Sequence, residues 1–266
     1  MSVIIVIPAR YASSRFPGKP LATLVGATGE SLSLIERSWR AAMAVNGADR
    51  VVVATDDDRI RDAAQAFGAQ VVMTSSECKN GTERCAEVLE RIGENYEIVV
   101  NLQGDAPLTP SWFIEDLVKG LRDDQSFDVA TPVLRADGAT LAGLKEDRRN
   151  GRVGGTTAVF AHDMKALYFS KEVIPFVEEE FDADQPTPVF HHVGVYAYRP
   201  EALREYLTHP IGIYEKLEGL EQLRFLEAGH NVLCVEVEAK GRQFWELNNP
   251  EDVPKIEKML QEMGIA

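Results

Sequence analysis

Three cations sit within ten residues of an otherwise acidic chain: Arg10, Arg15 and Lys19, in the stretch PARYASSRFPGKP, with no Asp or Glu before Glu30. Arginine can grip phosphate oxygens in a bidentate fork, and lysine brings a compact charge to one oxygen. A strand ending in Pro-Ala-Arg, with glycine beside the lysine, suits an irregular loop whose backbone N–H groups cradle phosphate. The segment is neither GxxxxGK[ST] nor GxGxxG, so neither a P-loop nor a dinucleotide fold is indicated. On composition alone it is equally a solvated basic loop making weak surface pairs. Its place directly after the first apolar run favours a ligand. The second chemical signal is VVNLQGDAP, an apolar run ending in Gln103, Gly104 and Asp105. A carboxylate there is a natural Mg²⁺ anchor, because magnesium binds through one or two carboxylates plus substrate phosphates. Gln103 can direct an amide at a base or sugar. The alternative makes Asp105 a turn residue or the cap of the next helix.

Other polar segments carry weaker signals. In TDDD, Asp57 and Asp58 are expected to cap a helix that starts near Arg59. TSSECKNGTER has a Gly81-Thr82 helix start that can donate backbone N–H bonds to a base or phosphate, while Glu83 and Arg84 read as an exposed helical pair. His191 and His192 read as a pair near a strand start, one facing in and one out. No cysteine or further histidine stands near them at ligand spacing.

These segments are placed by alternating elements. VIIVIP, RVVVATD, QVVMT and EIVVNLQGD read as strands, and DVATPVL as a fifth. LIERSWRAAMAV, DRIRDAAQAFG, GTERCAEVLERIG and a stretch from about Pro110 to Leu121 read as the helices between them. This order predicts right-handed crossovers and a mostly parallel, doubly wound α/β sheet. Ligands of such sheets lie beyond the carboxyl ends of the strands, where all four polar segments emerge. After about residue 138 the pattern changes. Residues 136–155 read as a loop, and TTAVFA, ALYFS and HVGVYAY as strands, with an acidic, proline-rich connector between the last two. PEALREYL and YEKLEGLEQLRFLEAG read as helices, NVLCVEVEA as a strand and PEDVPKIEKMLQEM as the terminal helix. In the second of those helices Leu217, Leu220 and Phe225 would form a core face. The expectation is one domain over residues 1–266 with an inserted arm.

Composition bounds the function. The 266 residues carry 28 basic and 42 acidic side chains, a net charge of −14, which argues against nucleic acid or an anionic membrane as partner. The three cysteines form no CxxC pair and no even framework, the pattern of free thiols in a reducing cytoplasm. VIIVI is too short for a signal-peptide core, and no apolar run approaches a membrane span.

With these residues in view, IPARYASSRFPGKPL, VATDD, MTSSECKNGTER, NLQGDAPL, ALYFSK, HHVGVYAYR and LEGLEQLR closely resemble the 3-deoxy-manno-octulosonate (KDO) cytidylyltransferases, in family order and over nearly the whole chain. The resemblance implies a nucleotide-diphospho-sugar transferase-like fold. It also implies a reaction that joins CTP and KDO to give CMP-KDO and pyrophosphate with Mg²⁺, for lipopolysaccharide or capsule synthesis. By the same resemblance, Ala9, Arg10, Arg15 and Lys19 would hold the triphosphate. Thr74, Gly81 and Thr82, with Gln103 nearby, would border the cytosine. Asp105 would ligate Mg²⁺ together with Asn248, and Lys19, Arg15 and Asp105 would carry the chemistry. Lys171, His192, Tyr196, Glu221 and Gln222 would line the sugar-acid pocket; without the resemblance, Glu221 and Gln222 read as plain helix surface. The arm over about 155–198 resembles a dimerisation element, so a homodimer is implied. The chain departs from the family pattern at Asn248, where LNNPED replaces an expected carboxylate, at Lys171, where arginine is common, and at Ala106, where glutamate is common.

Overall fold

The computed structural model describes residues 2–12, 16–105, 107–153, 155–242, 247 and 249–265. The chain divides into two compact units, one comprising residues 1–115 and 239–266, the other residues 116–238.

The first unit is built on the apolar runs. β1 (Val3–Ala9) is buried almost throughout, as a β-branched strand covered on both faces must be. β2 (Thr23–Val25) and β3 (Ser31–Ser33) form a small antiparallel hairpin, followed by α1 (Leu34–Met43). β4 (Arg50–Thr55), α2 (Asp58–Ala66), β5 (Gln70–Met73), α3 (Gly81–Ile92) and β6 (Ile98–Leu102) alternate as expected, and α4 (Ser111–Asp123) follows. The sheet order is β5-β4-β1-β6, every pair parallel, with Ile4 opposite Arg50 and Val3 opposite Ile98. Ser33, Asp57 and Asn80 cap α1, α2 and α3 by accepting backbone N–H bonds, which satisfies donors that a helix start leaves orphaned. Asp57 therefore does what the sequence predicts. Asp58 opens the helix and pairs with Arg61.

The second unit is mixed. β7 (Val129–Asp137), α5 (Gly138–Arg149), β8 (Thr156–Phe160), β9 (Ala166–Ser170), β10 (Pro186–His192) and β11 (Val195–Tyr198) lead to α6 (Pro200–Thr208), α7 (Ile213–Glu218), α8 (Leu223–Glu227) and β12 (Val232–Glu236). β7 takes β10 and β11 antiparallel and β12 parallel, and the sheet continues in the order β10-β8-β9, each pair antiparallel. The chain then returns to the first unit with α9 (Val253–Glu262). There Ile256, Met259 and Leu260 pack with Leu24, Leu34, Leu108 and Leu247. Two contacts tie this return to the β2–β3 hairpin, from Val25 N–H to Glu257 Oε1 at 2.8 Å and from Ala27 N–H to the Ile265 carbonyl at 2.7 Å. Among the described residues no helix is long and apolar enough to cross a membrane.

The α/β architecture with a parallel first sheet is the one expected. Three local expectations are corrected. Residues 138–149 are a helix and not a loop. Asp137 Oδ1 caps it through Thr140 N–H at 2.7 Å, and Leu141 and Leu144 bury one turn apart. The continuous helix expected over 214–229 is two short ones, broken at Gly219, whose φ of 62° ends α7. Leu217 is accordingly 78% exposed, so it is not part of a core face. The connector before HVGVYAY contributes β10, and Gly194 separates it from β11.

The Asp137 carboxyl is held below the usual carboxylate range by its bonds to Thr140. Asp137→Ala is expected to cost about 1 kcal/mol in urea unfolding near neutral pH. A depressed carboxyl stabilises the fold only while ionised, so the difference from wild type should shrink as the pH falls below about 4.

Candidate active site

The residues expected to hold phosphate are organised from the carboxyl end of β1. Ala9 is its last residue, and Arg10 follows, exposed to solvent. The loop closes where Gly18 N–H donates to the Tyr11 carbonyl at 2.9 Å, which also starts a single 3-10 turn over Lys19–Leu21. The Arg59 guanidinium lies 3.3 Å from the centre of the Tyr11 ring, a cation–π contact that fixes the loop's base. Lys19 then points its Nζ at Asp105 Oδ2, 2.7 Å away. Arg15 and Asn248 lie outside the described residues.

Asp105 is delivered to that position by glycine. A Cβ on Gly104 would stand 2.9 Å from the Pro8 carbonyl oxygen, so only glycine lets the turn after β6 lie this close to β1. Ser38 Oγ donates to the Gly104 carbonyl at 3.2 Å, and Leu247 N–H to the Asp105 carbonyl at 3.0 Å. The Asp105 carboxylate is a hard oxygen donor, and its partner Lys19 is one that anionic phosphate oxygens can also engage. That donor chemistry fits Mg²⁺ held by one or two carboxylates and by phosphates.

Gln103 and Gly81 are also brought together. A Cβ on Gly81 would meet Asn101 Nδ2 at 2.9 Å and Gln103 Nε2 at 3.1 Å, so both amides crowd the start of α3. Thr74 is buried and accepts from the Arg84 guanidinium, which also lies 3.3 Å from Asp56. This corrects the reading of Arg84 as an exposed helical residue, because it is 3% exposed. Thr82 is fully buried beside it. The loop between Thr74 and Asn80 is fixed by Glu87, which accepts from the Ser75 N–H and from the Cys78 thiol, each at 2.9 Å. Burial and then Glu87 push that thiol up to about 12, so it stays protonated and is no nucleophile.

In the second unit, His192, Tyr196 and Gln222 converge. Thr131 Oγ1 donates to the Val195 carbonyl at 2.9 Å and so accepts from His192 Nε2 at 2.8 Å, which puts the ring proton on Nε2. Burial, then neighbouring His191, lowers the His192 pKa to about 3, so the imidazole is neutral at physiological pH. Its ring packs 5.6 Å from Tyr196, whose hydroxyl donates to Gln222 Oε1 at 3.1 Å. Gln222 Nε2 is buried with no hydrogen-bond partner among the described residues. An orphaned donor of this kind costs roughly 1–3 kcal/mol unless a ligand accepts from it. Gln222 is reached through the turn that splits α7 from α8. That turn is anchored by Tyr206 Oη on the Glu221 carbonyl and by a bidentate, buried Arg224–Glu215 pair at 2.7 Å. Lys171 follows β9, where Ser170 and the Lys171 N–H both bond Glu218, and its Nζ approaches Gly219. Sequence reasoning missed Asn101, Arg84, Thr131 and Arg224. The signal for two of them was a polar residue inside an apolar strand, Asn101 in VVNL and Thr131 in VATPV.

The cytidylyltransferase family model matches residues 4–233. A 3-deoxy-manno-octulosonate cytidylyltransferase of Maricaulis maris is 45% identical over 99% of both chains, and one of Porphyromonas gingivalis is 39% identical over 99% of this chain and 98% of its own. A solved CMP:2-keto-3-deoxy-manno-octonic acid synthetase complexed with CTP superposes with a TM-score of 0.84 at 34% identity, covering 99% of this chain and all of its own.

Two outcomes test the site's architecture. Gly104→Ala should lose about 1–3 kcal/mol of stability by forcing β1 and the Asp105 turn apart, as measured by thermal or urea unfolding. His192, with its pKa below the ordinary 6.5, stabilises the fold fully only above about pH 6.5, and that contribution falls as the pH drops toward 3. Between about pH 7 and pH 4.5 the urea stability of wild type should therefore fall by about 2–3 kcal/mol more than that of His192→Gln.

Proposed function

We propose that this chain, which belongs to the cytidylyltransferase family, transfers the cytidylyl group of CTP to 3-deoxy-manno-octulosonate or a close eight-carbon sugar acid, releasing pyrophosphate. The observation that carries the reading is the Lys19–Asp105 contact at the carboxyl ends of β1 and β6. A cation suited to phosphate and a carboxylate suited to Mg²⁺ meet there, in a chain similar over its full length to enzymes named for this reaction.

In the proposed reaction a sugar hydroxyl attacks the α-phosphorus of CTP in line. A new P–O bond forms as the bond to the bridging oxygen of pyrophosphate breaks, and the hydroxyl proton passes to solvent water. Little covalent work falls to the protein, so positioning and charge neutralisation dominate. Arg10, Arg15 and Lys19, with the Ala9 backbone, would hold the triphosphate against a net charge of −14. Thr74, Gly81, Thr82 and Gln103 would border the base, Thr82 by helping to fix the start of α3. Asp105 and Asn248 would hold Mg²⁺, which when bound would neutralise phosphate charge. Lys171, His192, Tyr196, Glu221 and Gln222 would receive the sugar acid. Neutral His192 cannot offer a full charge to its carboxylate, so Lys171 would supply the cation and the Gln222 amide a hydrogen bond.

The homodimer is proposed on the exposure of large apolar side chains within residues 155–198, where Phe176 is 84% and Leu167 61% exposed. Three buried or half-buried free cysteines support a cytoplasmic setting.

Pyrophosphate release from CTP with KDO and Mg²⁺ is the direct assay. Lys19→Ala and Asp105→Ala are each expected to lower kcat by on the order of 10²–10³-fold with unchanged circular dichroism. Gln222→Leu should raise the KM for the sugar acid and leave that for CTP near wild type. No turnover across a panel of octulosonates, or full activity in the first two variants, would sink the reading. Sedimentation should give twice the chain mass, and Phe176→Asp combined with Leu167→Asp should shift it toward the monomer.

A further inference from the structure

The second unit holds a cluster that the cytidylyl transfer does not use. Glu205 and His209 stand four residues apart at the end of α6, so both project from one side of the helix end. His230 stands just before β12. One ligand atom from each of Glu205, His209 and His230 lies within 4.8 Å of the others. Two imidazoles and a carboxylate are a donor set for borderline divalent cations of the Zn²⁺ class, not for Mg²⁺, which prefers all-oxygen shells.

His230 is prepared for such a role. Its side chain is nine-tenths buried, and its ring is packed edge-on against Phe225 at 5.7 Å and His209 at 6.0 Å. Its backbone N–H donates to the Phe225 carbonyl at 3.0 Å. Nδ1 faces Asp128 Oδ2 at 3.5 Å, and Asp128 is itself held by the Asn231 N–H at 2.9 Å. A carboxylate behind the far nitrogen is the usual way a metal-binding imidazole is oriented. Nε2 is buried without a hydrogen-bond partner among the described residues, although Glu205 Oε2 stands 3.4 Å away. That spacing is close to the roughly 3.3–3.4 Å that separates two ligands placed tetrahedrally about 2.0–2.1 Å from one zinc ion.

We propose that Glu205, His209 and His230 form a binding site for a divalent cation of the Zn²⁺ class, with Asp128 orienting His230. The ion would clip the end of α6 to the start of β12, in a site independent of the proposed nucleotidyl transfer.

The test titrates untagged, chelator-treated full-length protein with Co²⁺ and reads its visible absorption, then displaces Co²⁺ with Zn²⁺. About one Co²⁺ per chain with an intense tetrahedral-type spectrum is expected, and it should persist in Asp105→Ala. Glu205→Gln and His209→Ala should weaken binding by at least about tenfold. Zn²⁺ should raise the melting temperature of wild type but not of these two variants. Glu205 is exposed, so Glu205→Gln should melt near wild type without metal and serves as the folding control. Absence of Co²⁺ binding to wild type overturns the proposal, as does equal binding by Glu205→Gln and His209→Ala. So does loss of the Co²⁺ spectrum only in Asp105→Ala.

Discussion

The candidate site in the first unit depends on how closely two parallel strands end beside each other. Gly104 lies so near the Pro8 carbonyl that no side chain fits between them. That approach brings the turn after β6 to the loop after β1, and the consequence is the 2.7 Å Lys19–Asp105 contact. Both side chains are largely shielded from water, so the pair is worth more than an exposed one. In the proposed reaction a triphosphate would compete for Lys19, and a divalent cation would take its place on Asp105.

The second unit solves a different problem. It gathers polar groups in a buried place while keeping their charges low. His192 is neutral, Tyr196 and Gln222 share a hydrogen bond, and Arg224 is matched by Glu215 and stacked 4.0 Å over Tyr206. Leaving either partner of that buried pair alone would cost several kcal/mol, so the pair holds the α7–α8 turn in one conformation. The turn in turn fixes Gln222, whose amide nitrogen has no hydrogen-bond partner among the described residues.

The parallel half of the fold was legible because its signals are local. VIIVI and VVVAT are short β-branched runs, the helices between them carry capping residues, and each polar segment follows a strand. The position of Asp105 beside Lys19 could be inferred from the rule that ligands gather at the carboxyl ends of such strands. What escaped was set by tertiary contacts. α5 carries Gly138 and Gly143 and a run of charges that mask its periodicity, and only the Asp137–Thr140 cap and two buried leucines reveal it. The break between α7 and α8 is a left-handed glycine inside a sequence rich in helix formers. Arg84 looks like any surface helical charge until Thr74 and Asp56 are folded against it. The pairing of Glu205 and His209 with His230, more than twenty residues later, is invisible to a search for close ligand spacing.

The central claim is that Lys19 and Asp105 meet on one metal–triphosphate complex. The most direct measurement is calorimetric CTP affinity with and without Mg²⁺, for wild type and Asp105→Asn. Mg²⁺ should tighten CTP binding to wild type by tenfold or more and leave binding to the variant almost unchanged. An equal Mg²⁺ enhancement in both proteins would contradict the claim.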